Sequence, residues 1–416
     1  MKGICIVNLL IILSGNYGLG QNNGPVEIEF NGRIAWSADG NFNDEDDWAA
    51  SPVALAIFAE LGVKVKVVHF DYNCIIPMTN KEWAQIHETS VLGAAERYGF
   101  PKSIFHDVQK DLDGAVNSIA NAINASSEEN PLYFVLAGPM EVPALGIQKA
   151  DPEKRKFVYC ISHNIWNDGY ASGDLVEHNK RDVIPLGVNW IQITDQNKFL
   201  STGPYGIPSK EEEWKPWHWM RDSKDPKVRF LWERMQVSTR ADCSDAGMAY
   251  FLIMGDEEPD HKKLKYLLDD KKVASPVDRR KRVRLEAENF TNLRDFEVEY
   301  IGDREASQQM SVKYSGKAYG QISTHFREIH VPESSHYDID VRILYGPDRK
   351  GEYELYINGG LKSTYWTTTN LRRWQTKTFR NIPVKLGDEI TIKVKSDMPG
   401  GIKLDYVELT DPVQKR

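Results

Sequence analysis

The sequence predicts an α/β fold, a mainly parallel sheet with helices on both faces, followed by a C-terminal β-sandwich. Three observations predict it. From Gly32 to about Asp260, short apolar runs alternate with amphipathic segments, which implies right-handed crossovers between parallel strands. From Val283 onward, stretches of alternating polar and apolar residues recur between turn residues, the pattern of a sandwich. Between these, residues 261–282 are dense in charge and read as a linker carrying a short helix at Lys262–Leu268. A chain of 416 residues suits such a division, with an α/β domain over 30–260 and a sandwich over 283–412.

The chain opens with Lys2, an apolar run from Ile4 to Leu13 broken by Asn8, then small and polar residues to Gly20-Gln21. That is the pattern of a secretory signal peptide over 1–20, so the expected destination is extracellular or periplasmic. The run is too short to span a bilayer and no later stretch is apolar for long enough, so no membrane is expected. Beyond Cys5 the cysteines are Cys74, Cys160 and Cys243, a sparse odd set that gives no disulfide framework and leaves one bridge open. The net charge of -8 argues against nucleic acid and favours a neutral or weakly charged partner. Eleven Trp and eighteen Tyr supply flat rings, which stack on sugars as readily as they fill cores.

Taken in order, Ile34-Ala35-Trp36 reads as a buried strand and Pro52–Ala59 as part of a buried helix. Between them lie Asp39, Asn41, Asn43, Asp44, Glu45, Asp46 and Asp47, so five carboxylates crowd one turn. Like charges so close cannot all stay ionised, and a hard divalent cation with oxygen ligands, Ca2+ above all, relieves them. A solvated acidic loop capping the helix is the alternative, although a cap needs only one or two acids. The spacing Asp39-x-Asn41-x-Asn43 suggests an EF-hand and fails as one, because Asp44 stands where glycine is required and Ala50 where a bidentate Glu is.

Val63–Phe70 reads as the next strand, Lys81–Tyr98 and Asp111–Ala125 as helices, and Leu132–Leu136 as a strand ending in Ala137-Gly138-Pro139 before the amphipathic Val142–Ile147. Phe157–Ile161 and Trp190–Ile193 are further strands. In such sheets ligands bind beyond the carboxyl ends of the strands, the edge on which the acidic turn falls. Residues 195–235 are rich in Gly, Pro and Trp, read either as a covering loop or as a sugar-binding rim. Asp242 and Asp245 then open an apolar helix. In the last domain, strands are expected at Val283–Ala287, Tyr337–Leu344, Glu352–Ile357, Gln375–Arg380, Glu389–Val394 and Lys403–Leu409.

With these residues assembled, the first domain resembles the nucleoside-hydrolase-like superfamily. Asp39, Asp44, Asp46 and Asp47 match its aspartate cluster after the first strand, and Leu136 through Leu145 its strand running into Gly-Pro and a helix. Asp245, and less closely Asp242, match its late Asp at the head of an Ala-rich helix. The longer spacing between the first Asp and the Asp-Asp pair is closer to the branch found in secreted proteins linked to polysaccharides. The classical enzymes place a His beside the late Asp to assist the leaving base; Ser244 and Ala241 stand there instead, which turns the expectation away from nucleosides. The second domain resembles a family-six-type carbohydrate-binding module, with Leu285-Glu286-Ala287-Glu288-Asn289-Phe290 as its opening strand and Leu404-Asp405-Tyr406-Val407-Glu408 as its closing one. That resemblance implies a structural calcium on Glu286, Glu288 and Asp405, and binding aromatics among Tyr319, Trp366 and Trp374.

The expected function is a secreted, calcium-assisted glycoside hydrolase that attacks a polysaccharide with inversion, algal galactans such as agar being the first candidate. On this expectation Asp47 and Asp245 bind the metal, Asp39 or Asp44 acts as base or further ligand, a carbonyl near Gly138-Pro139 completes the shell, and Asp46 and Asn41 hold sugar hydroxyls. His163, after its strand, is a candidate leaving-group acid, with Glu141 a second, and Asn164 and Asp168 are candidates for sugar binding. Two other classes stay open: a secreted nucleoside hydrolase, and a non-catalytic carbohydrate-binding protein.

Overall fold

The computed structural model describes residues 28, 30–42, 44–173, 175–204, 206–274, 280, 282–300, 305–316, 319–331, 334–345, 351–366, 373–396 and 402–412. The expected signal peptide lies outside the described residues, as does Asn43.

The first domain is a six-stranded, all-parallel sheet of β1 (Arg33–Ala38), β2 (Val67–Tyr72), β3 (Phe105–Asp107), β4 (Leu132–Ala137), β5 (Val158–Ser162) and β6 (Asn189–Gln192), in the order β3-β2-β1-β4-β5-β6. Alternate residues feed two cores. Ile34, Trp36, Val135 and Ile161 pack under helices Asp47–Glu60, Lys81–Tyr98, Pro226–Val237 and Ala246–Met254. Ala35, Phe134, Leu136 and Cys160 pack under Leu112–Asn124 and Glu141–Lys149. Helix Lys81–Tyr98 begins where Asn80 accepts the N–H groups of Glu82 and Trp83, and ends at left-handed Gly99.

The expected strand at Val63 begins four residues later. After Gly62 (φ 75) closes the helix, Lys64–Lys66 form a single 3₁₀ turn with Val65 in solvent, so the alternation there is that of a surface turn. The charged stretch after Asp260 is also not all linker. Its helix, His261–Leu268, buries Leu264, Leu267 and Leu268 in the first core and belongs to the first domain, because their i, i+3, i+4 spacing makes one apolar stripe. Residues 195–235 form short helices that cover the core: Trp217 is fully buried with its Nε1–H on Thr202, and Trp214 packs edge-on against Trp232. Cys74, Cys160 and Cys243 are free thiols, all buried.

The second domain stacks two antiparallel sheets. One joins β7 (Arg282–Glu286), β9 (Phe296–Tyr300), β10 (Met310–Tyr314), β12 (His336–Tyr345), β15 (Trp374–Pro383) and β17 (Ile402–Thr410). The other runs β14 (Gly360–Trp366), β13 (Gly351–Ile357), β16 (Glu389–Ser396), β11 (Tyr319–His325) and β8 (Asn292–Arg294). The six strands expected from alternation are present; β8 to β11 and β14 are additional.

The two domains meet through buried charge. Lys180 Nζ, fully enclosed, lies 3.3 Å from Glu288 Oε1 and 3.7 Å from Asp168 Oδ2. Arg280 pairs with both Glu257 and Glu328, Arg181 donates to the carbonyls of Glu288 and Phe290, and His330 Nε2 meets the Leu252 carbonyl at 2.9 Å.

Candidate functional site

The strand order reverses direction between β1 and β4, and a doubly wound sheet opens a crevice there, at the carboxyl ends of its strands. Asp39 is the first residue past β1, and Gly138 the first past β4. The two backbones approach so closely that a Cβ on Gly138 would sit 2.8 Å from the Asp39 amide nitrogen, so glycine is required. Gly40 turns the chain at φ 80 beneath the His87 ring, and its carbonyl accepts the Trp48 indole N–H at 2.8 Å. Helix Asp47–Glu60 and helix Ala246–Met254, both buried and in contact, point their N-termini at this crevice and bring Asp46, Asp47 and Asp245 to it. Helix N-termini favour anionic side chains, but only at about half a charge each.

The five acids of the turn divide in two. Glu45 and Asp46 pair with Arg240, at 2.6 and 3.4 Å. Asp39, Asp44 and Asp47 converge instead, with one carboxylate oxygen of each inside a 4.8 Å span. Both oxygens of Asp39 and both of Asp47 are buried and meet no donor. Burial, and then the neighbouring acids, push Asp39 and Asp44 up to about 8 and raise Asp47 well above the usual carboxylate range. Asp39 and Asp47 are near enough to share a proton, the one internal remedy for such a pair. The donor set is all hard oxygen, and four orphaned oxygens are what a calcium-type cation would satisfy. The trio therefore fits the expected metal.

Asp245 stands beside this trio with its Oδ1 2.5 Å from His163 Nε2. His163 is sealed: its other nitrogen lies 3.2 Å from the Gln196 amide and 3.5 Å from Asp195 Oδ1. Burial disfavours the charged ring, but bonds to Asp195 and Asp245 outweigh it and push its pKa up to about 10. His163 thus orients Asp245 from a buried position, with both ring nitrogens engaged. Three other expected binders are occupied elsewhere. The Asn41 amide braces the loop through Ile75 N, Ile75 O and Met78 O; Asn164 caps the Trp166 N–H; Asp168 is buried with Ser162 and Lys180 at the domain junction. Glu141 Oε2 accepts from the Glu177 and His178 amides and meets the His178 ring, which commits that oxygen to bracing the turn at Glu177 and His178. Arg240 and Asp195 escaped the sequence reading; the one signal for Asp195 was its position just past a strand at the functional edge of the sheet.

In the second domain the three acids expected to hold calcium are partly paired within the chain. Among the described residues only Asp39, Asp44 and Asp47 converge as a trio, and Glu286, Glu288 and Asp405 do not. The chain's own cations answer two of them, Arg342 Nη1 lying 2.6 Å from Asp405 Oδ2 and Lys180 pairing with Glu288, while Glu286 accepts the Ser307 hydroxyl at 2.7 Å and keeps an unpartnered Oε2. The expected aromatics separate as well. Trp366, Glu352, Lys395 and Tyr319 pair in one row across β14, β13, β16 and β11, on the outer face of the five-stranded sheet. Three strand spacings put the two rings roughly 14 Å apart. Trp366 is 57% exposed, and Arg294 lies 5.1 Å from the Tyr319 ring. Trp374 is on the other sheet, under the Arg342 guanidinium.

No family model matches this chain. Over 249 residues it is 29% identical to an uncharacterised protein, P22, of Formosa agariphila, spanning 56% of this chain and 86% of that one. Among solved structures, it is similar to the C-terminal family 6 carbohydrate-binding module of LamC, a marine laminarinase from Zobellia galactanivorans (19% identity, 31% of this chain and 99% of that one, TM-score 0.25). It is also similar to a family 35 module from Clostridium thermocellum (18%, 31% and 96%, TM-score 0.26) and to a family 36 module in complex with calcium and xylotriose (21%, 31% and 99%, TM-score 0.23). Each of these likenesses extends over about a third of the chain. Among the described residues no helix is long and apolar enough to cross a membrane.

Proposed function

We propose that this protein is an exported glycoside hydrolase acting on a polysaccharide, with Asp39, Asp44 and Asp47 holding a calcium-type cation and the sandwich binding the polymer. The observation that carries this reading is the set of four orphaned oxygens on Asp39 and Asp47, buried at the point where the strand order reverses. A cation bound there supplies Lewis-acid polarisation of water and of neighbouring sugar hydroxyls. Asp44 is the partly exposed member of the trio and takes the proton of the attacking water. Asp245, fixed by His163, and Asp46, fixed by Arg240, orient hydroxyls of the sugar. Displacement in one step inverts the anomeric centre and needs a protonated acid opposite the water. Asp242, whose Oδ1 accepts the Ser244 N–H at 2.9 Å and which burial and Asp46 push up to about 7, is our assignment for that acid over Asp195, which His163 holds low. The exposed row from Trp366 to Tyr319, with the resemblance to carbohydrate-binding modules, supports polymer binding by the second domain; an algal galactan is the first candidate.

The test incubates purified protein with a polysaccharide panel and with purine and pyrimidine nucleosides, with and without a chelator. New reducing ends from a polymer, lost on chelation, support the reading. Nucleoside cleavage, or no cleavage in any arm, overturns it.

A further inference from the structure

Where the domains meet, a second cavity of about 400 Å³ opens beside Asp195, within the size range of small-ligand sites. The first domain lines it with Ile165, Thr194, Asp195 and Lys198, past the ends of β5 and β6, and the second with Glu286, Ser307, Gln308 and Gln309. Asp195 in its wall is tied through the buried His163 to Asp245, which stands beside the acidic trio.

Two features mark this cavity as more than a seam. Gln308 and Gln309 are consecutive non-glycine residues at φ 51 and 55, a left-handed pair that side chains disfavour and that clusters at functional sites. Ser307 pins them, its N–H on Asp405 at 2.9 Å and its hydroxyl on Glu286 at 2.7 Å, while Gln309 N–H closes onto the Ala306 carbonyl. Independently, Glu286 lines the cavity with a buried Oε2 that no donor reaches.

The charges say what would fit. Arg280 is matched by Glu257 and Glu328, and Arg284 by Glu408. Lys198 and Arg282 complete the wall's cations, so that Lys198, Arg280, Arg282 and Arg284 balance Asp195, Glu257, Glu286 and Glu408 and no net charge selects an ion; a neutral, hydroxyl-rich unit finds carboxylate acceptors and the amides of Gln308 and Gln309. We propose that this interdomain cavity is a subsite for an uncharged sugar unit of the polymer, so that the second domain completes the binding cleft of the first. The proposal rests on the polysaccharide reading above and extends it to substrate charge and to a site that neither domain forms alone.

The test measures oligosaccharide affinity by calorimetry on the full chain, using a neutral agarose-derived hexasaccharide and a sulfated carrageenan-derived one. The variant is Gln308→Gly with Gln309→Gly, which deletes both amides while suiting the left-handed backbone, so the fold is kept. The expected result is binding of the neutral hexasaccharide weakened about tenfold or more, with an unchanged or raised melting temperature. Equal affinity in variant and parent overturns the subsite and leaves the hydrolase reading standing. Tighter binding of the sulfated probe overturns the assigned ligand charge. If the parent binds neither probe, the polysaccharide reading loses its support and the subsite falls with it.

Discussion

Two buried clusters of acids, among the described residues, are answered to different degrees. Asp405 receives Arg342 and Glu288 receives Lys180, while Glu286 has only the Ser307 hydroxyl and is raised by burial and by its neighbours. Among the described residues no Lys or Arg pairs directly with Asp39, Asp44 or Asp47; Arg240 is bound to the neighbouring Glu45 and Asp46 and reaches Asp44 only through its field. An unanswered buried carboxylate costs several kcal/mol, so the cluster with no paired Lys or Arg is the one with most to gain from an outside ion. Acid count alone does not mark a metal site; the absence of a resident counter-charge does.

That contrast is open to direct attack. The largest effect is expected at the answered cluster: Lys180→Met strands Glu288 and Asp168 in the interior and lowers unfolding free energy by about 3–5 kcal/mol, read from the denaturant midpoint. Calcium should not restore it; full rescue by calcium would mean that the second cluster is a metal site after all. At the unanswered cluster, Asp47→Asn should cut polymer hydrolysis roughly a hundred- to a thousandfold while retention on the polymer survives. Equal loss of both would mean that the trio is structural.

Protons and calcium should compete there. Asp39 and Asp44 lie near 8 against an ordinary 3.8, so the cation-free fold binds more protons than the unfolded chain between those values. Stability without calcium therefore falls as pH rises from about 4 to about 8, and calcium affinity falls at least about tenfold from pH 8 to pH 6. A melting curve under chelator that is flat across this range would count against the pairing of unanswered acids. Smaller still, Asp39→Asn should stabilise the chelated protein by on the order of 1 kcal/mol and erase the calcium-induced rise in melting temperature. Trp366→Ala, remote from both clusters, should weaken polymer retention about tenfold with hydrolysis of short soluble fragments unchanged.

Legibility followed distance along the chain. Helix Lys81–Tyr98 was readable to the residue because its cap, its period and its terminal glycine are all local. The acidic turn was readable because its members are near neighbours in sequence. Which of its acids were free was not, since Arg240 arrives from nearly two hundred residues away. Asp168 was placed correctly after its strand and assigned to sugar, whereas it faces Lys180, a buried lysine that no periodicity announces and that Glu288 of the other domain also pairs with. The resemblance of the second domain pointed to Glu286, Glu288 and Asp405, but the cations that answer Asp405 and Glu288 come from β12 and from the other domain.

The seam sealed by Lys180, Arg181 and Arg280 has a mechanical consequence. A module hung on a slack tether samples many angles and merely keeps its enzyme nearby. On the function proposed above, a module bolted on by enclosed ion pairs would dictate the heading at which a fibre crosses the acidic crevice, and the footprint on the polymer would be one rigid stencil spanning both halves.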